Sequence, residues 1–383
     1  MNNDLSNETV SPDPEPEQNS MLNSVPNESI SIEQATISDE TILTAEKTQD
    51  SFQPKTPEYS FNFKKIFEEW KRDEKFKYVS TLFFVPMIVF FVISFFLQTN
   101  LTNFLNLQQF TFEERLIISD ILTFIIISFP IIIAAVLFQK NIFSPFMSKP
   151  KVPKRPFMTA FFVLGVGFLS SIILAPITSI LPTMESTNEY FRSPLAIILT
   201  VIQIALIPAI FEEWLFRGML LKHLLPMNRS AAIIISGIMF GMMHQNPTQA
   251  VFAAIFGMLL GVVYVNSGCN IWLTMLIHFI NNAYSLFTAY IYDKFPMGSV
   301  QYWWSEIPIY ICIAITFGCL MYYVFSGKKA FFTLKESDEI EPYETKHVIK
   351  KILTTPTFYI AIAFMILNQV MTMVSITYYN NIS

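Results

Sequence analysis

Long apolar runs, separated by short polar stretches, dominate the chain from residue 78 to residue 378. A helix needs about 20 residues to cross the hydrocarbon core of a bilayer. Nine runs come close to that length or exceed it, at 78–98, 116–138, 157–181, 197–224, 229–247, 249–266, 270–291, 307–325 and 357–378. The pattern predicts an all-α, polytopic transmembrane bundle of eight or nine helices, in which 249–266 is the shortest run.

Residues 1–58 differ sharply from the rest of the chain. They contain twelve Asp and Glu residues against Lys47 and Lys55, a net charge of −10, and consist mainly of Ser, Thr, Asn, Pro and Glu. The few apolar side chains of this segment cannot offset the conformational entropy that it would lose on ordering. The segment is therefore predicted to be a disordered tail. It also lacks the basic start and continuous apolar core of a signal peptide. Residues 59–77 mix charged and aromatic side chains and predict an amphipathic segment at the membrane interface.

Lysine and arginine residues indicate the orientation of the bundle. They cluster before the first run, between the second and third runs, at 222–229 and at 328–351. With nine crossings, all these clusters lie on one side of the membrane. The positive-inside rule then predicts a multi-pass protein of the cell membrane with a cytoplasmic amino terminus and an extracytoplasmic carboxy terminus.

The overall composition agrees with a membrane location and excludes other classes. Hydrophobic residues make up 52% of the chain and charged residues 14%, with a mean hydropathy of +0.43, which is more apolar surface than a soluble core requires. No basic patch indicates nucleic-acid binding. The three cysteines are odd in number and lie in or beside apolar runs, so they give neither a disulfide framework nor a metal-ligand spacing.

Three polar motifs interrupt the apolar runs. Ionisable side chains are costly inside a membrane, and they therefore indicate a functional site. The motifs are Glu212-Glu213-x-x-x-Arg217, Phe240-x-x-x-His244 and His278-x-x-x-Asn282.

Helix geometry predicts that the three motifs lie at a similar depth. If two helices form a hairpin around Pro226, Glu212 and His244 lie roughly 20 and 26 Å from the turn, at about 1.5 Å per residue. If a later helix begins near residue 270, His278 and Asn282 lie roughly 12 to 18 Å along it. The i, i+4 spacing of His278 and Asn282 places both on one helical face. All four side chains are thus expected at one cavity near the middle of the bilayer.

The same residues also have purely structural interpretations. Glu213 and Arg217 have the i, i+4 spacing of a buried ion pair, which leaves Glu212 without a partner. A single histidine on an apolar helix is more often a hydrogen-bonded core residue than a catalyst, and a His–Asn pair can serve as an interhelical hydrogen bond. The conjunction of all three motifs at matching depth favours a functional site.

A carboxylate, two imidazoles and a carboxamide at one cavity are suited to the hydrolysis of an amide. Glu212 would take a proton from water, a histidine would orient that water, and His and Asn donors would hold the developing oxyanion. Phe240 would form a wall of the cavity. In an alternative, Glu212, His244 and His278 would bind zinc as a His₂Glu set with an open position for water. No His-Glu-x-x-His segment is present to decide between them.

In their order and internal spacing, the three motifs resemble the signature motifs of the CPBP (Abi) intramembrane proteases, which are similar to type II CAAX prenyl endopeptidases. The resemblance covers residues 157–325. It implies an all-helical protease core in which Glu212 and His244 activate water and His278 and Asn282 form the oxyanion site. It also implies that Arg217 pairs with a motif glutamate, which we expect to be Glu213. Two transmembrane helices at 78–138 precede this core, and one at 357–378 follows it.

The family has been described both as metalloproteases and as metal-independent glutamate proteases. We favour the glutamate mechanism, which requires no cofactor, with zinc as the alternative. The expected partners are the membrane and a peptide or protein substrate, such as a bacteriocin or signalling precursor. A non-catalytic membrane scaffold or a bacteriocin-immunity protein is the competing function. A transporter would show inverted internal repeats, and the sequence has none.

Overall fold

The computed structural model describes residues 63–104, 109–138, 143–147, 156–179, 188–244, 247–327, 334 and 343–382. Within these ranges the regular structure is helical and contains no strand, which confirms the predicted all-α fold. The predicted tail at 1–58 and the first residues of the predicted interfacial segment lie outside the described residues. Residues 63–77 of that segment form the start of a helix that continues into the first apolar run.

Besides the 3₁₀ turn Asn188–Phe191, eleven helices follow one another in the described part of the chain. They are α1 (Phe63–Phe104), α2 (Phe112–Phe138), α3 (Ser144–Met147), α4 (Pro156–Thr178), α5 (Pro194–Leu224), α6 (Arg229–Met243), α7 (Pro247–Asn266), α8 (Ile271–Lys294), α9 (Val300–Ser326), α10 (Thr345–Leu353) and α11 (Pro356–Ile382).

Seven of these helices, α1, α2, α4, α5, α7, α9 and α11, contain segments long and apolar enough to cross a membrane. The remaining two predicted runs fall on α6, which has 15 residues, and on α8, which carries the polar residues of the third motif. Each of the nine apolar runs therefore coincides with a helix. The number of crossings and the orientation of the termini stay predictions.

Side-chain caps define where the motif-bearing helices begin. The Asn228 side chain accepts a hydrogen bond from the backbone of Ala231 at 2.8 Å at the start of α6. The Asn270 side chain does the same for Leu273 at 3.2 Å at the start of α8. Such caps satisfy one of the free N–H groups of a first helical turn. The hairpin expected around residue 226 and the helix start expected near residue 270 are both observed.

Glycines allow α6 and α7 to pack with their backbones in contact. A Cβ atom at Gly237 would lie 2.8 Å from the backbone nitrogen of Met258, and one at Gly241 would lie 2.4 Å from the Ala250 carbonyl oxygen. From the other side, a Cβ at Gly257 would lie 3.2 Å from the Gly237 Cα. Small residues at this spacing are typical of membrane helices that approach closely. The close contact brings the Gly257 backbone within reach of side chains from α5.

The remaining helices enclose this centre. Helix α1 packs against both α2 and α11, with α2 also against α5 and α11 against α6. Helices α4 and α9 pack together on the other side, and α4 also contacts α7. The motif-bearing helices α5, α6 and α8 thus pack among apolar helices.

Candidate active site

Helix α5 departs from regular α-helical geometry on both sides of the acidic pair. Ile202–Leu206 and Trp214–Leu221 form π-helical stretches, and the α-helical segment Ile207–Glu213 lies between them. Such irregularities are frequent at functional sites. Pro208 has no N–H to donate to the Ile204 carbonyl four residues earlier, and the Asn282 amide donates to that carbonyl at 3.1 Å. Asn282 thereby joins α8 to α5 beside the acidic pair.

Glu213 and Arg217 form the buried ion pair that the spacing predicts. Arg217 Nη1 lies 2.8 Å from Glu213 Oε1, and both side chains are 0% exposed. The guanidinium also donates to the Gly257 carbonyl at 2.9 Å and lies 4.8 Å above the centre of the Phe240 ring. Such partners compensate for the removal of the charges from water. The pair links α5 to α6 and α7.

His278 lies between the two glutamates. Its Nδ1 is 3.0 Å from Glu213 Oε1, a hydrogen bond in which the imidazole donates because the carboxylate can only accept. Its Nε2 is 3.9 Å from Glu212 Oε2, which is beyond hydrogen-bonding distance. Glu213 therefore fixes the orientation of the ring, and Nε2 is directed towards Glu212.

His244 follows directly after the last residue of α6. Its Nδ1 lies 2.9 Å from the Phe240 carbonyl oxygen, so Nδ1 carries the proton and a neutral ring keeps Nε2 as an acceptor. The Phe240 ring meets the edges of both imidazoles, with centroid separations of 5.0 Å to His244 and 5.5 Å to His278. Phe240 thus packs against both rings, in agreement with the wall position predicted for it.

One cavity of about 720 Å³ joins these residues. Glu212, His244, His278 and Asn282, the four residues predicted to be catalytic, all line it, as does Phe240. The other lining residues come from α4, α5, α7 and α8 and are Phe168, Ser171, Leu174, Gln203, Ile204, Pro208, Gln249, Phe252, Ala253, Phe256, Asn281, Ser285 and Leu286. The expected convergence of the three motifs at one cavity is therefore observed, whereas their common depth in the bilayer and their catalytic roles stay predictions.

Glu212 differs from Glu213 in its partners, because Glu213 is bound through Oε1 by Arg217 and His278, although Oε2 of either glutamate is buried without a hydrogen-bond partner among the described residues; the environment of Glu212 is more open. Its side chain is 14% exposed, and Oε2 is buried without a hydrogen-bond partner among the described residues. Buried polar atoms are hydrogen-bonded in the great majority of cases, so such an exception needs an explanation. A carboxylate at the cavity wall has room for a water molecule or a substrate group.

Several polar residues at the cavity were not singled out from the sequence. Gln203 on α5 donates a short hydrogen bond to Ser119 on α2, and Asn281 on α8 donates to Asn282 at 3.2 Å. Each is a polar residue within an apolar run, which is a weak signal in the sequence. Asn282 was singled out because it lies four residues from the ionisable His278, and neither Gln203 nor Asn281 has an ionisable residue at that spacing. Gln369 on α11, which donates to the His244 carbonyl at 2.9 Å, was missed for the same reason.

The zinc alternative requires three ligands that converge. Among the described residues, no group of three His, Cys, Asp or Glu side chains is arranged to hold a metal ion. Glu212 and His278 approach each other at 3.9 Å, but His244 does not complete a set with them. As placed, Glu212, His244 and His278 do not form a His₂Glu zinc set.

Comparison with protein families identifies the same part of the chain. Residues 194–284 match the family described as type II CAAX prenyl endopeptidase Rce1-like. The match begins at the first residue of α5, ends inside α8 and contains all three motifs. Comparison with curated proteins returns no match, and comparison with solved structures returns none either.

The family match confirms the resemblance inferred from the motifs. Rce1-like proteins are proteases, and helices able to cross a membrane, both within the matched range and around it, agree with a membrane-embedded protease. The wider core expected at 157–325 stays a prediction, because the match covers α5 to α8. Residues 194–284 of this multi-pass membrane protein are thus similar to the Rce1-like type II CAAX prenyl endopeptidases.

Proposed function

We propose that the chain is an intramembrane endopeptidase that hydrolyses a peptide bond of a membrane-associated or exported protein, with Glu212 as the general base. One observation carries this proposal. Of two adjacent glutamates, Glu213 is 0% exposed and engaged by Arg217 and His278, whereas Glu212 lines the cavity with its side chain 14% exposed. A general base needs an available lone pair within reach of water.

In the proposed first step, a water molecule lies between Glu212 and His244. His244 accepts a hydrogen bond from it at Nε2 while Nδ1 stays bonded to the Phe240 carbonyl. Glu212 removes a proton as the water oxygen attacks the carbonyl carbon of the scissile bond, and the carbonyl electron pair moves onto its oxygen. The C–N bond then breaks as Glu212 returns the proton to the leaving amine. The products are a carboxyl group and an amine, so water is the sole co-reactant.

The oxyanion of the tetrahedral intermediate needs hydrogen-bond donors, and α8 offers two. A carboxamide has two N–H groups, and Asn282 uses one for the Ile204 carbonyl, which leaves the second for substrate. His278 Nδ1 already donates to Glu213 at 3.0 Å, so Nε2 is the second donor only in the imidazolium form, in which both ring nitrogens donate. Donors held in place before the reaction are among the largest contributions to catalysis.

The cavity favours an apolar peptide segment as substrate. Its volume of about 720 Å³ is sufficient for several side chains, and Phe168, Leu174, Phe252 and Leu286 supply apolar surface around the polar centre. An apolar lining with a few placed polar groups is the usual construction of a binding site. We therefore place the scissile bond in or next to a membrane-inserted part of the substrate, and we assign the reaction no metal.

The proposal is tested by comparing protein termini in membranes. Cells that lack the protein are complemented with the native chain, with Glu212→Gln, or with Glu344→Gln as a matched control at an exposed position whose side chain makes no cap hydrogen bond. New termini, identified by mass spectrometry, are expected with the native chain and with Glu344→Gln and should be missing with Glu212→Gln at equal membrane abundance.

The same comparison separates an enzyme from a scaffold or immunity protein. If Glu212→Gln restores every terminus and every phenotype of the deleted strain, hydrolysis at this site is not the function. A cleavage site found in this way also defines a fluorogenic peptide for kinetic measurements.

A further inference from the structure

The last helix, which lies outside the family match, reaches the catalytic region through one side chain. Gln369 on α11 donates from Nε2 to the His244 carbonyl at 2.9 Å and to the Met242 carbonyl at 3.4 Å. An amide nitrogen carries two protons and can therefore serve both acceptors. A side chain distant in sequence thus contacts the backbone of a residue proposed to orient the attacking water.

These carbonyls need a donor because α6 ends at this point. The last four carbonyl groups of a helix have no intrahelical partner, and none can be left unsatisfied in a membrane interior without cost. At His244 the backbone leaves the helix, with φ −69° and ψ 117°. A donor on a neighbouring helix determines which way the backbone turns there, and the backbone direction determines where the imidazole points.

Two hydrogen bonds, one local and one from a distant helix, act on the orientation of the His244 ring, in addition to the Phe240 ring contact and the hydrogen bond from the His244 N–H to the Gly241 carbonyl at 3.0 Å. The side-chain contact is within the same segment, from Nδ1 to the Phe240 carbonyl at 2.9 Å. The backbone contact comes from Gln369 on another helix. If the hydrogen bond from Gln369 were lost, the one from His244 Nδ1 to the Phe240 carbonyl could remain, because both groups belong to the same segment. The end of α6 could then move as a unit, and Nε2 would move with it.

Neighbouring polar side chains of α11 do not make this connection. Asn368 donates to the Phe364 carbonyl and Thr377 donates to the Met373 carbonyl, both within α11 itself. These are local hydrogen bonds of a kind that polar residues commonly make in helices. Gln369 differs because both of its acceptors belong to the end of α6.

We propose that Gln369 is a positioning residue that holds His244 in its working orientation by capping the end of α6. This inference rests on the proposed function, since it assigns a task to the same site. It also gives the carboxy-terminal helix a role in activity.

The first test compares Gln369→Leu with Thr377→Val, a matched loss of a polar side chain on the same helix. With the fluorogenic peptide defined above, Gln369→Leu should lower kcat by about 10- to 100-fold, the range expected when a reacting group shifts by roughly 1 Å. KM should stay within about twofold, because the lining of the substrate cavity is intact. Thr377→Val should retain both constants.

A second measurement does not depend on activity. Amide hydrogen exchange over residues 241–244 should be faster in Gln369→Leu than in the native protein or in Thr377→Val, because the end of α6 loses its donor. Exchange in α8 should not change.

Gln369→Glu keeps the shape of the side chain and provides a variant if Gln369→Leu does not fold. An ionised carboxylate would face two carbonyl oxygens and cannot donate, whereas the protonated form donates one hydrogen bond. The ratio of variant to native kcat should therefore rise as the pH is lowered. A residue that only fills space would give a ratio independent of pH.

The outcomes distinguish the two proposals. Unchanged kcat and unchanged exchange in folded Gln369→Leu overturn the positioning role while leaving the protease intact. Faster exchange at 241–244 together with a chain that cleaves nothing in any form would support the contact and overturn the proposed function. A third outcome is a lower kcat in Gln369→Leu with unchanged exchange at 241–244, together with a pH-independent ratio of kcat between Gln369→Glu and the native protein. It would show that Gln369 only fills space and would contradict the inference.

Discussion

Glu212 and Glu213 are adjacent and chemically identical, yet they lie on two sides of α5 that differ in burial and in neighbouring groups. Successive residues point about 100° apart around a helix of 3.6 residues per turn. Glu213 faces Arg217 and His278 in a fully buried cluster, while Glu212 faces a cavity of about 720 Å³. The Glu213 side has the features of structural support, and the Glu212 side has the features of a reaction site.

The comparison shows how a membrane interior can hold two carboxylates for different purposes. The Glu213 side is closed, and its charge is compensated by an arginine, an imidazole N–H and a close helix contact. That cluster orients His278, so the supporting side determines the geometry of the reacting side. If this division is correct, substitutions on the two sides should affect different observables.

The largest effect is expected for activity in Glu212→Gln. The amide keeps the size of the side chain but cannot take a proton, so kcat should fall by about 10²- to 10⁴-fold, the usual contribution of a general base. Thermal unfolding in detergent should remain close to that of the native protein, because the only ion pair given for Glu212 among the described residues is the long 3.9 Å contact with His278. Full activity in Glu212→Gln would invalidate the division between the two sides.

The next largest effect is expected for stability in Arg217→Met. Removal of one partner leaves Glu213 as an uncompensated buried charge, which should lower the free energy of unfolding by about 3–5 kcal/mol. The double variant Glu213→Leu/Arg217→Met is the control and should be less destabilised than Arg217→Met alone, since no charge is left unpaired. Equal stability of native and Arg217→Met proteins would show that the pair has no structural role.

Asn282→Leu should affect the reacting side more weakly than Glu212→Gln. Loss of one oxyanion donor typically lowers kcat by about 10²- to 10³-fold. The variant also removes the hydrogen bond to the Ile204 carbonyl, so kcat should be measured together with thermal unfolding. A rise in KM with unchanged kcat would instead assign Asn282 to substrate binding.

The smallest effect is expected at Gly257, on the supporting side. A Cβ there would lie 3.0 Å from Phe240 Cδ1 and 3.2 Å from the Gly237 Cα, so Gly257→Ala must displace a ring or a backbone. Overpacking of this kind usually costs about 1–3 kcal/mol. Gly318→Ala on α9 is the matched control, because nothing lies within 4 Å of its Cβ, and it should be neutral or slightly stabilising.

Much of the architecture could be predicted because it depends on local patterns. Apolar runs predicted nine helices, the i, i+4 spacing predicted the Glu213–Arg217 pair, and depth along each helix predicted that Glu212 and His244 meet at one cavity. These features follow from helix rise and periodicity alone. A further local signal lies at α10, where Val348 and Ile352 are both 0% exposed at an i, i+4 spacing at the end of the basic cluster 328–351, for which no helix was predicted.

Contacts between distant segments could not be predicted in this way. The hydrogen bond from His278 to Glu213 joins positions 65 residues apart, and that from Gln369 to His244 joins positions 125 residues apart. Their existence depends on how helices rotate and cross, which the spacing within one helix does not determine. The π-helical stretches that flank the acidic pair likewise depend on packing against neighbours and have no distinct pattern in the sequence.

The most direct test of the central claim follows the oxygen atom of water. Purified protein in liposomes is treated with a metal chelator and then given the fluorogenic peptide in H₂¹⁸O, and the products are analysed by mass spectrometry alongside zinc content. The account predicts cleavage that survives chelation with less than one zinc per chain, one ¹⁸O in the new carboxyl group, and no product from Glu212→Gln. Cleavage that stops on chelation, with one zinc per chain that is lost in Glu212→Gln, His244→Ala and His278→Ala, would contradict the account.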